Sequence, residues 1–343
     1  MRGHARGPRG RRYAAQVVRP NHTSGVPPGP RFDYIPAGML RLTFLGTSAA
    51  QPTIRRNLTG HAVRRERELF LVDCGEGTQR QLIQFGAGFD VAAIFFTHFH
   101  ADHYLGAIGF LRTLSMQNRA EPLDLYGPRP AKRLLETMLF TGAERFSYEV
   151  RIHEVRAGEA VRRDGCAMVP FPTEHRTPSL GWALREDARP GRFHPEKAAA
   201  LGVPKGPLFG ALQRGEAVTL PDGRAVRPEE VVEPPRRGRA LVITGDTRPC
   251  AATVEAARGA DVLVHDCTFG DGEVERAEET LHSTARGAAQ VAREAGVGRL
   301  VLTHLSTRYD RAWEPLVQQA REAWQGPLDV AHDGMVLEIP LPE

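Results

Sequence analysis

Short apolar runs separated by turn residues dominate the chain from residue 39 onward. Runs at 40–45, 60–63, 69–73, 91–97, 123–126, 148–155, 160–169, 180–184, 239–244, 261–265, 299–303 and 335–339 predict strands. Apolar positions at helical spacing predict helices over 104–117, 129–141, 250–258, 283–294 and 310–323. The early strands form neighbouring pairs joined by short turns, whereas the later ones alternate with helices. That mixture predicts an α/β fold of two mixed sheets with helices outside, rather than one doubly wound sheet. Between about 186 and 236 the pattern breaks into Pro, Gly and charge. So long a stretch without periodicity inside a domain predicts an insertion with its own purpose.

Charge changes the picture at one end only. Residues 1–38 hold seven Arg and one acid, Asp33, a net +6, while the whole chain is +4, so residues 39–343 come to −2. The high isoelectric point therefore belongs to the tail and does not mark the body as a nucleic-acid binder. Rich in Gly, Pro and Arg and without a hydrophobic period, residues 1–38 are expected to be a disordered tail ahead of one large domain, 39–343. Met39 directly precedes the first strand, which sets up the expectation that translation starts there. No apolar run approaches the ~20 residues that span a bilayer, and the tail lacks the apolar core of a secretory signal. Cys74, Cys166, Cys250 and Cys267 form no C-x-x-C pair, so reduced thiols in a cytoplasm are expected.

The densest chemistry follows the apolar run that ends at Phe96. Thr97-His98-Phe99-His100-Ala101-Asp102-His103 places three imidazoles and a carboxylate where a strand ends. Alternate residues leaving a strand point the same way, so His98 and His100 can grip one ion. Asp102 and His103 come a step later and are better placed for a second ion beside the first. Imidazole with carboxylate suits zinc or a similar divalent metal. Later strands repeat the placement: 241–244 ends at Asp246, 262–264 at His265 and Asp266, and 300–303 at His304. His175 adds an imidazole after the strand at 160–169. Ligands from several strand ends converge on one rim of a sheet, where rigid backbone holds them.

These residues resemble the H-x-H-x-D-H pattern of the metallo-β-lactamase superfamily. Further segments resemble its ribonuclease Z family over essentially all of 39–343. They include Phe44-Leu45-Gly46-Thr47-Ser48, Asp73-Cys74-Gly75-Glu76-Gly77-Thr78, Lys205-Gly206-Pro207-Leu208-Phe209-Gly210, Gly245-Asp246-Thr247-Arg248-Pro249, His282-Ser283-Thr284 and Thr303-His304-Leu305-Ser306-Thr307-Arg308-Tyr309. The resemblance implies the αββα sandwich of that superfamily with an inserted flexible arm at 186–215. It implies two zinc ions, one held by His98, His100, His175 and Asp246, the other by Asp102, His103, His304 and the shared Asp246. Manganese or iron would suit the same donors. It further implies an endoribonuclease that removes 3′ trailers from precursor tRNA near the discriminator base, leaving a 3′-hydroxyl on the tRNA and a 5′-phosphate on the trailer. Asp102 would accept the proton of the attacking water. His282 would be the general acid for the leaving oxygen, an imidazole being able to donate near neutral pH.

His265-Asp266-Cys267-Thr268 stands where the family has His-Glu-Ala-Thr, so His265 and Asp266 are expected to support His282 with a carboxylate one methylene shorter. The family's P-x-K-x-R-N loop reads Pro52-Thr53-Ile54-Arg55-Arg56-Asn57, with Ile54 in place of the Lys. Arg55, Arg56 and Asn57 are expected to meet the tRNA 3′ end, and Lys205, Gly206 and Pro207 to meet the tRNA from the arm. Residues 185–214 carry six basic side chains (Arg185, Arg189, Arg192, Lys197, Lys205, Arg214) against three acids (Glu186, Asp187, Glu196), a local +3 that suits phosphate. The resemblance implies a homodimer in which each arm serves the other subunit's site. A superfamily hydrolase for small phosphodiesters is the competing reading, and such an enzyme would have no use for the arm.

Overall fold

The computed structural model describes residues 38–139, 141 and 145–342. Apart from Gly38, the expected disordered tail lies outside the described residues. The first half of the chain runs β1 (Leu40–Gly46), β2 (Gly60–Arg65), β3 (Glu68–Cys74), α1 (Thr78–Gln84), β4 (Val91–Phe95), α2 (Ala101–Tyr104) and α3 (Gly106–Met116). Then come β5 (Leu123–Gly127), α4 (Ala131–Leu139), β6 (Val150–Glu154), β7 (Val161–Arg163), β8 (Cys166–Pro172) and β9 (Leu180–Glu186). An inserted unit holds α5 (Pro195–Ala200), α6 (Pro207–Gln213), β10 (Val218–Thr219) and β11 (Ala225–Val226). The rest runs β12 (Ala240–Ile243), α7 (Ala251–Ala257), β13 (Val262–Asp266), α8 (Val274–Thr280), α9 (Ala285–Ala295), β14 (Leu300–Thr303), α10 (Glu314–Ala323), β15 (Leu328–Val330) and β16 (Val336–Glu338).

Two seven-stranded mixed sheets result, in the orders β16-β1-β2-β3-β4-β5-β6 and β15-β14-β13-β12-β9-β8-β7. Each sheet joins an antiparallel part to a parallel part: β3 to β6 are parallel in the first, β12 to β15 in the second. The apolar runs are continuous because both faces of each sheet are buried. Period two divides them: Leu42, Phe44, Phe70, Val72 and Phe95 meet Trp182, Leu241, Ile243, Val264 and Val301 between the sheets. The alternate residues Leu69, Leu71, Ile94 and Phe96 pack outward with Phe110, Leu111 and Leu135, borne on α3 and α4. On the far side Val242, Leu263 and Leu302 pack with Ala288, Ala292 and Leu316, borne on α9 and α10. The order is helix, sheet, sheet, helix, the αββα sandwich expected from the sequence.

The sequence expectation does not place α1, α8 or β15, and several boundaries differ from it. The run 160–169 is a hairpin, β7 and β8, turned at Asp164-Gly165 where Gly165 has φ +65°. The helix expected from 104 begins at Ala101, so Asp102 and His103 are helical. The insertion folds on itself. Ala198, Val203, Leu212, Val218, Val226 and Val231 form a small core of their own. Antiparallel bridges Arg189↔Arg236 and Phe193↔Val232 close its stem. The segment expected at 186–215 is thus the first half of a unit that ends at Arg236.

Candidate metal centre and active site

The candidate residues cluster where parallel strands of both sheets end, β3 and β4 in the first and β12, β13 and β14 in the second, the carboxyl edge at which open α/β sheets place their ligands. His98 and His100 follow β4, and α2 then turns Asp102 and His103 back toward them. His175 comes from the β8–β9 connection, Asp246 follows β12, and His304 follows β14. Both Asp73, at the end of β3, and His304 hold the left-handed conformation, at φ +60° and +59°. Non-glycine residues in that conformation persist where the surroundings over-determine them, commonly at functional sites.

His98 Nε2 and His175 Nε2 each lie 3.1 Å from His100 Nδ1, and 3.6 and 3.8 Å from Asp246 Oδ2. The other Asp246 oxygen, Oδ1, lies 3.3 Å from both His103 Nε2 and His304 Nε2. Asp102 Oδ2 completes that second group, 3.6 Å from His103 Nε2 and 3.4 Å from His304 Nε2, and it also accepts the Ala50 N–H at 2.8 Å. The structure therefore brings all seven expected ligands into two groups that share Asp246, one oxygen to each. The donor atoms of His98, His100, His175 and Asp246 lie within 4.8 Å of one another, as do those of Asp102, His103 and His304. The arrangement fits a pair of divalent cations. His103 Nε2 and Asp246 Oδ1 are buried without a hydrogen-bond partner. Buried polar atoms of that kind call for a partner, and imidazole with carboxylate is the zinc donor set.

The protonation pattern points the same way. Burial lowers the pKa of His98, His100 and His175, keeping these rings neutral and free to donate lone pairs. For His103 burial pulls in the same direction but is outweighed by Asp246, Asp73 and Asp102, and the pKa rises well above its usual value. His304 is pushed up to about 10, again against burial, by Asp246, Asp102 and Asp266. Two protonated rings thus supply the positive charge that the carboxylates demand. A dication would displace those protons, so metal affinity rises with pH.

The ring nitrogens facing away from the centre are also held, by residues that sequence reasoning had not singled out as functional. Asp73 Oδ2 lies 2.8 Å from His103 Nδ1 and accepts the Thr97 hydroxyl at 2.8 Å, while Thr97 Oγ1 lies 3.0 Å from His98 Nδ1. One carboxylate therefore orients a ligand of each group, the first through a hydroxyl. Thr268 Oγ1 lies 2.9 Å from His304 Nδ1 and donates to Asp266 Oδ1 at 2.8 Å. The Leu281 carbonyl lies 3.2 Å from His175 Nδ1.

Asp266 reaches His282 despite its shorter side chain: Oδ2 lies 2.8 Å from His282 Nδ1. That contact leaves Nε2 as the ring atom able to present a proton to the cavity that His282 lines. Burial lowers the His282 pKa, but the charge and hydrogen bond of Asp266 together with the charge of Asp246 outweigh it, and the net shift is upward. His265 does not join them. Alternation along β13 turns it to the opposite face, where its Nδ1 lies 2.9 Å from the Asp266 carbonyl. Arg56 is directed inward as well, 5% exposed, donating to Thr47 Oγ1 and the Ala331 carbonyl. Asn57 braces the neighbouring turn, donating from its side chain to the Glu76 carbonyl. Arg55 is exposed, and its side chain has no partner among the described residues. Lys205, Gly206 and Pro207 lie exposed at the start of α6 and are not among the residues that the structure brings together at the ligand groups.

Comparison with known proteins identifies the family. The family model of the metallo-beta-lactamase superfamily matches residues 61–331. Ribonuclease Z of Myxococcus xanthus is 61% identical over 303 residues, covering 88% of this chain and 99% of the relative. Ribonuclease Z of Haloferax volcanii is 52% identical over 302 residues, covering 88% and 95%. Among solved structures, the short form of human tRNase Z aligns with a TM-score of 0.63 at 26% identity, over 88% of this chain and 99% of that one. A metallo-beta-lactamase fold protein of Bacillus subtilis, with a TM-score of 0.64 at 17% identity over 88% and 99%, shares the fold. The chain belongs to the metallo-β-lactamase superfamily and, within it, to the ribonuclease Z family.

Proposed function

We propose that the protein is a metal-dependent endoribonuclease that removes 3′ trailers from precursor tRNA near the discriminator base, leaving a 3′-hydroxyl on the tRNA and a 5′-phosphate on the trailer. The observation that carries the reading is the pair of ligand groups divided across Asp246, with His282 held at their rim by Asp266. His98, His100, His175 and Asp246 would hold one ion, zinc by its donor set, and Asp102, His103, His304 and Asp246 the other, with manganese or iron as substitutes. Bound there, the ions would lower the pKa of water toward ~7 and neutralise charge on the phosphoryl oxygens. Asp102 borders the cavity and accepts the proton of the attacking water. His282, kept protonated by Asp266, gives its proton from Nε2 to the leaving 3′ oxygen. Arg55 reaches the substrate from the rim loop, while Arg56 and Asn57 shape that loop from within.

The inserted unit, with Lys205, Gly206 and Pro207 exposed, is the part we assign to gripping the body of the tRNA. We further propose a homodimer in which this arm serves the partner subunit, and assign to its interface the surface where the exposed apolar side chains Ile83 and Leu105 line one pocket. Among the described residues no helix is long and apolar enough to cross a membrane. On the tRNA-processing reading we place the activity in the cytoplasm. Cleavage of a 3′-extended precursor tRNA by the zinc-loaded protein, mapped to the nucleotide, tests the reading. A cut beside the discriminator that Asp102→Ala abolishes is expected. Hydrolysis of a small phosphodiester with the precursor left intact would favour a general diesterase instead.

A further inference from the structure

The cavity beside His282 and Asp246 has a volume of about 430 Å³ and a wall that the chemistry above does not use. Beyond the residues used above, it is lined by the Ala49–Gln51 turn, by Phe269, Thr307 and Arg308, and by Arg276 and Thr280 of α8. An RNA strand lying here brings one negative charge per nucleotide, so the state of each cation in the wall matters. Arg308 is already committed to Glu273, which also accepts the Tyr309 hydroxyl at 2.5 Å. Arg276 differs. It is exposed, and among the described residues its guanidinium has neither a carboxylate nor a hydrogen-bond partner. Instead it lies 5.6 Å from the centroid of the Phe269 ring, which is itself 4% exposed.

A guanidinium resting on an aromatic face is fixed in direction while its N–H edge stays open, the arrangement that receives a phosphate through two parallel hydrogen bonds. The helix that carries it leads straight to the proposed acid. Arg276 and Thr280 lie four residues apart on one face of α8, the left-handed Leu281 (φ +56°) ends the helix, and the next residue is His282, whose N–H donates to the Ala277 carbonyl at 2.9 Å. Phe269 approaches His282 edge-on, with ring centroids 6.1 Å apart.

We propose that Arg276 is a substrate-positioning residue that binds the RNA phosphate next to the scissile one, its guanidinium set by the ring of Phe269 and its helix aligning His282 with the leaving oxygen. This rests on the endoribonuclease reading above. It adds a cation that none of the motif segments quoted for the family contains.

The test measures cleavage of a 3′-extended precursor tRNA by zinc-loaded wild type, Arg276→Ala and Arg276→Lys over a range of salt concentrations. For Arg276→Ala, KM is expected to rise about tenfold, kcat to fall by less than about threefold and Tm to stay unchanged. The slope of log(kcat/KM) against log salt should become shallower by about 0.7, the share of one single-strand phosphate contact. Arg276→Lys should restore that slope and only part of the KM, because a point charge replaces a fork. An unchanged KM and slope would overturn the proposal. So would a fall in kcat and Tm at constant slope, which marks a merely structural role. Wild type that leaves the precursor uncut removes the reading on which the proposal stands, and that result is distinct from either.

Discussion

Asp73 shows how much of the centre depends on a side chain that touches no substrate. Its carboxylate accepts the Thr97 N–H and hydroxyl, each at 2.8 Å, and meets His103 Nδ1. Asp73→Asn keeps the size of the side chain, and Asn tolerates the left-handed backbone found there. It removes the anion that makes His103 a stronger ligand. We expect zinc affinity to fall by about 10–100-fold, measured by competition with a chromophoric chelator, with the fold intact by circular dichroism. Affinity within twofold of wild type would show that the contact only packs.

His61 gives a second prediction at this scale, about pH. It is fully buried on β2 with its ring edge-on to Phe44, 5.3 Å between centroids. Burial, only partly opposed by the charge of Asp73, lowers its pKa to about 4. The folded-state value is depressed, so the neutral ring favours folding above an unfolded value of about 6.5, and that stability is lost as pH falls from 6.5 toward 4. Over the full window this amounts to about 3 kcal/mol. His61→Leu should lose less stability than wild type between pH 7 and 4.5 in urea titrations. Parallel acid limbs in the two proteins would refute it.

The two residues also mark what the sequence allows to be read. The seven candidate ligands are legible because they stand at the ends of apolar runs, and four of them fall within six positions. Asp73 ends an equally apolar run at β3, so the same signal was present, but a lone carboxylate is ambiguous until the fold sets it beside a residue 30 positions away. The Leu281 carbonyl that orients His175 belongs to the backbone and leaves no trace in residue type.

At the scale of elements, strands and long helices announce themselves by periodicity; of the helices of six or seven residues, α7 is legible while α1, α5, α6 and α8, with too few turns to show a period, are not. This is why the insertion reads as patternless although it has a core. Its root is well defined: Glu186 receives Arg239 through both oxygens at 2.7 Å and Arg65 at 2.9 Å, all three largely buried. That root dictates how the arm can be removed. A cut at 186–215 would take away Glu186, leave two buried arginines unpaired and expose half of the small core, and we expect it to yield insoluble protein. Replacing 190–235 by Gly-Gly joins the bridged pair Arg189 and Arg236 and leaves the root whole. This variant should fold with Tm within roughly 5 °C of wild type and hydrolyse bis(p-nitrophenyl) phosphate at an unchanged rate, while KM for precursor tRNA rises more than about tenfold. An unaltered KM would remove the arm from substrate binding.

For the molecule as a whole, the centre is a joint between its two halves. His98, His100, Asp102 and His103 follow a strand of the first sheet, whereas His175, Asp246 and His304 follow strands of the second. Any ion held by both sets ties one sheet to the other and binds only when they are in register. The apolar core between the sheets, with Phe44, Phe95, Trp182 and Ile243, makes their contact without the ions, so the metal-free chain is expected to stay folded but weaker. Binding to the native state alone contributes RT ln(1 + [L]/Kd), about 4 kcal/mol when zinc is a thousandfold above Kd. For a domain of this size each kcal/mol corresponds to roughly 2–4 °C, so chelation should lower Tm by about 10 °C and zinc should restore it. Asp246 is the residue shared by both groups, and Asp246→Asn should cut the zinc-induced rise to less than half. Were chelation to move Tm by less than about 2 °C, the ions would not be acting across the joint, and the two ligand groups would have to be read as belonging to the chemistry alone.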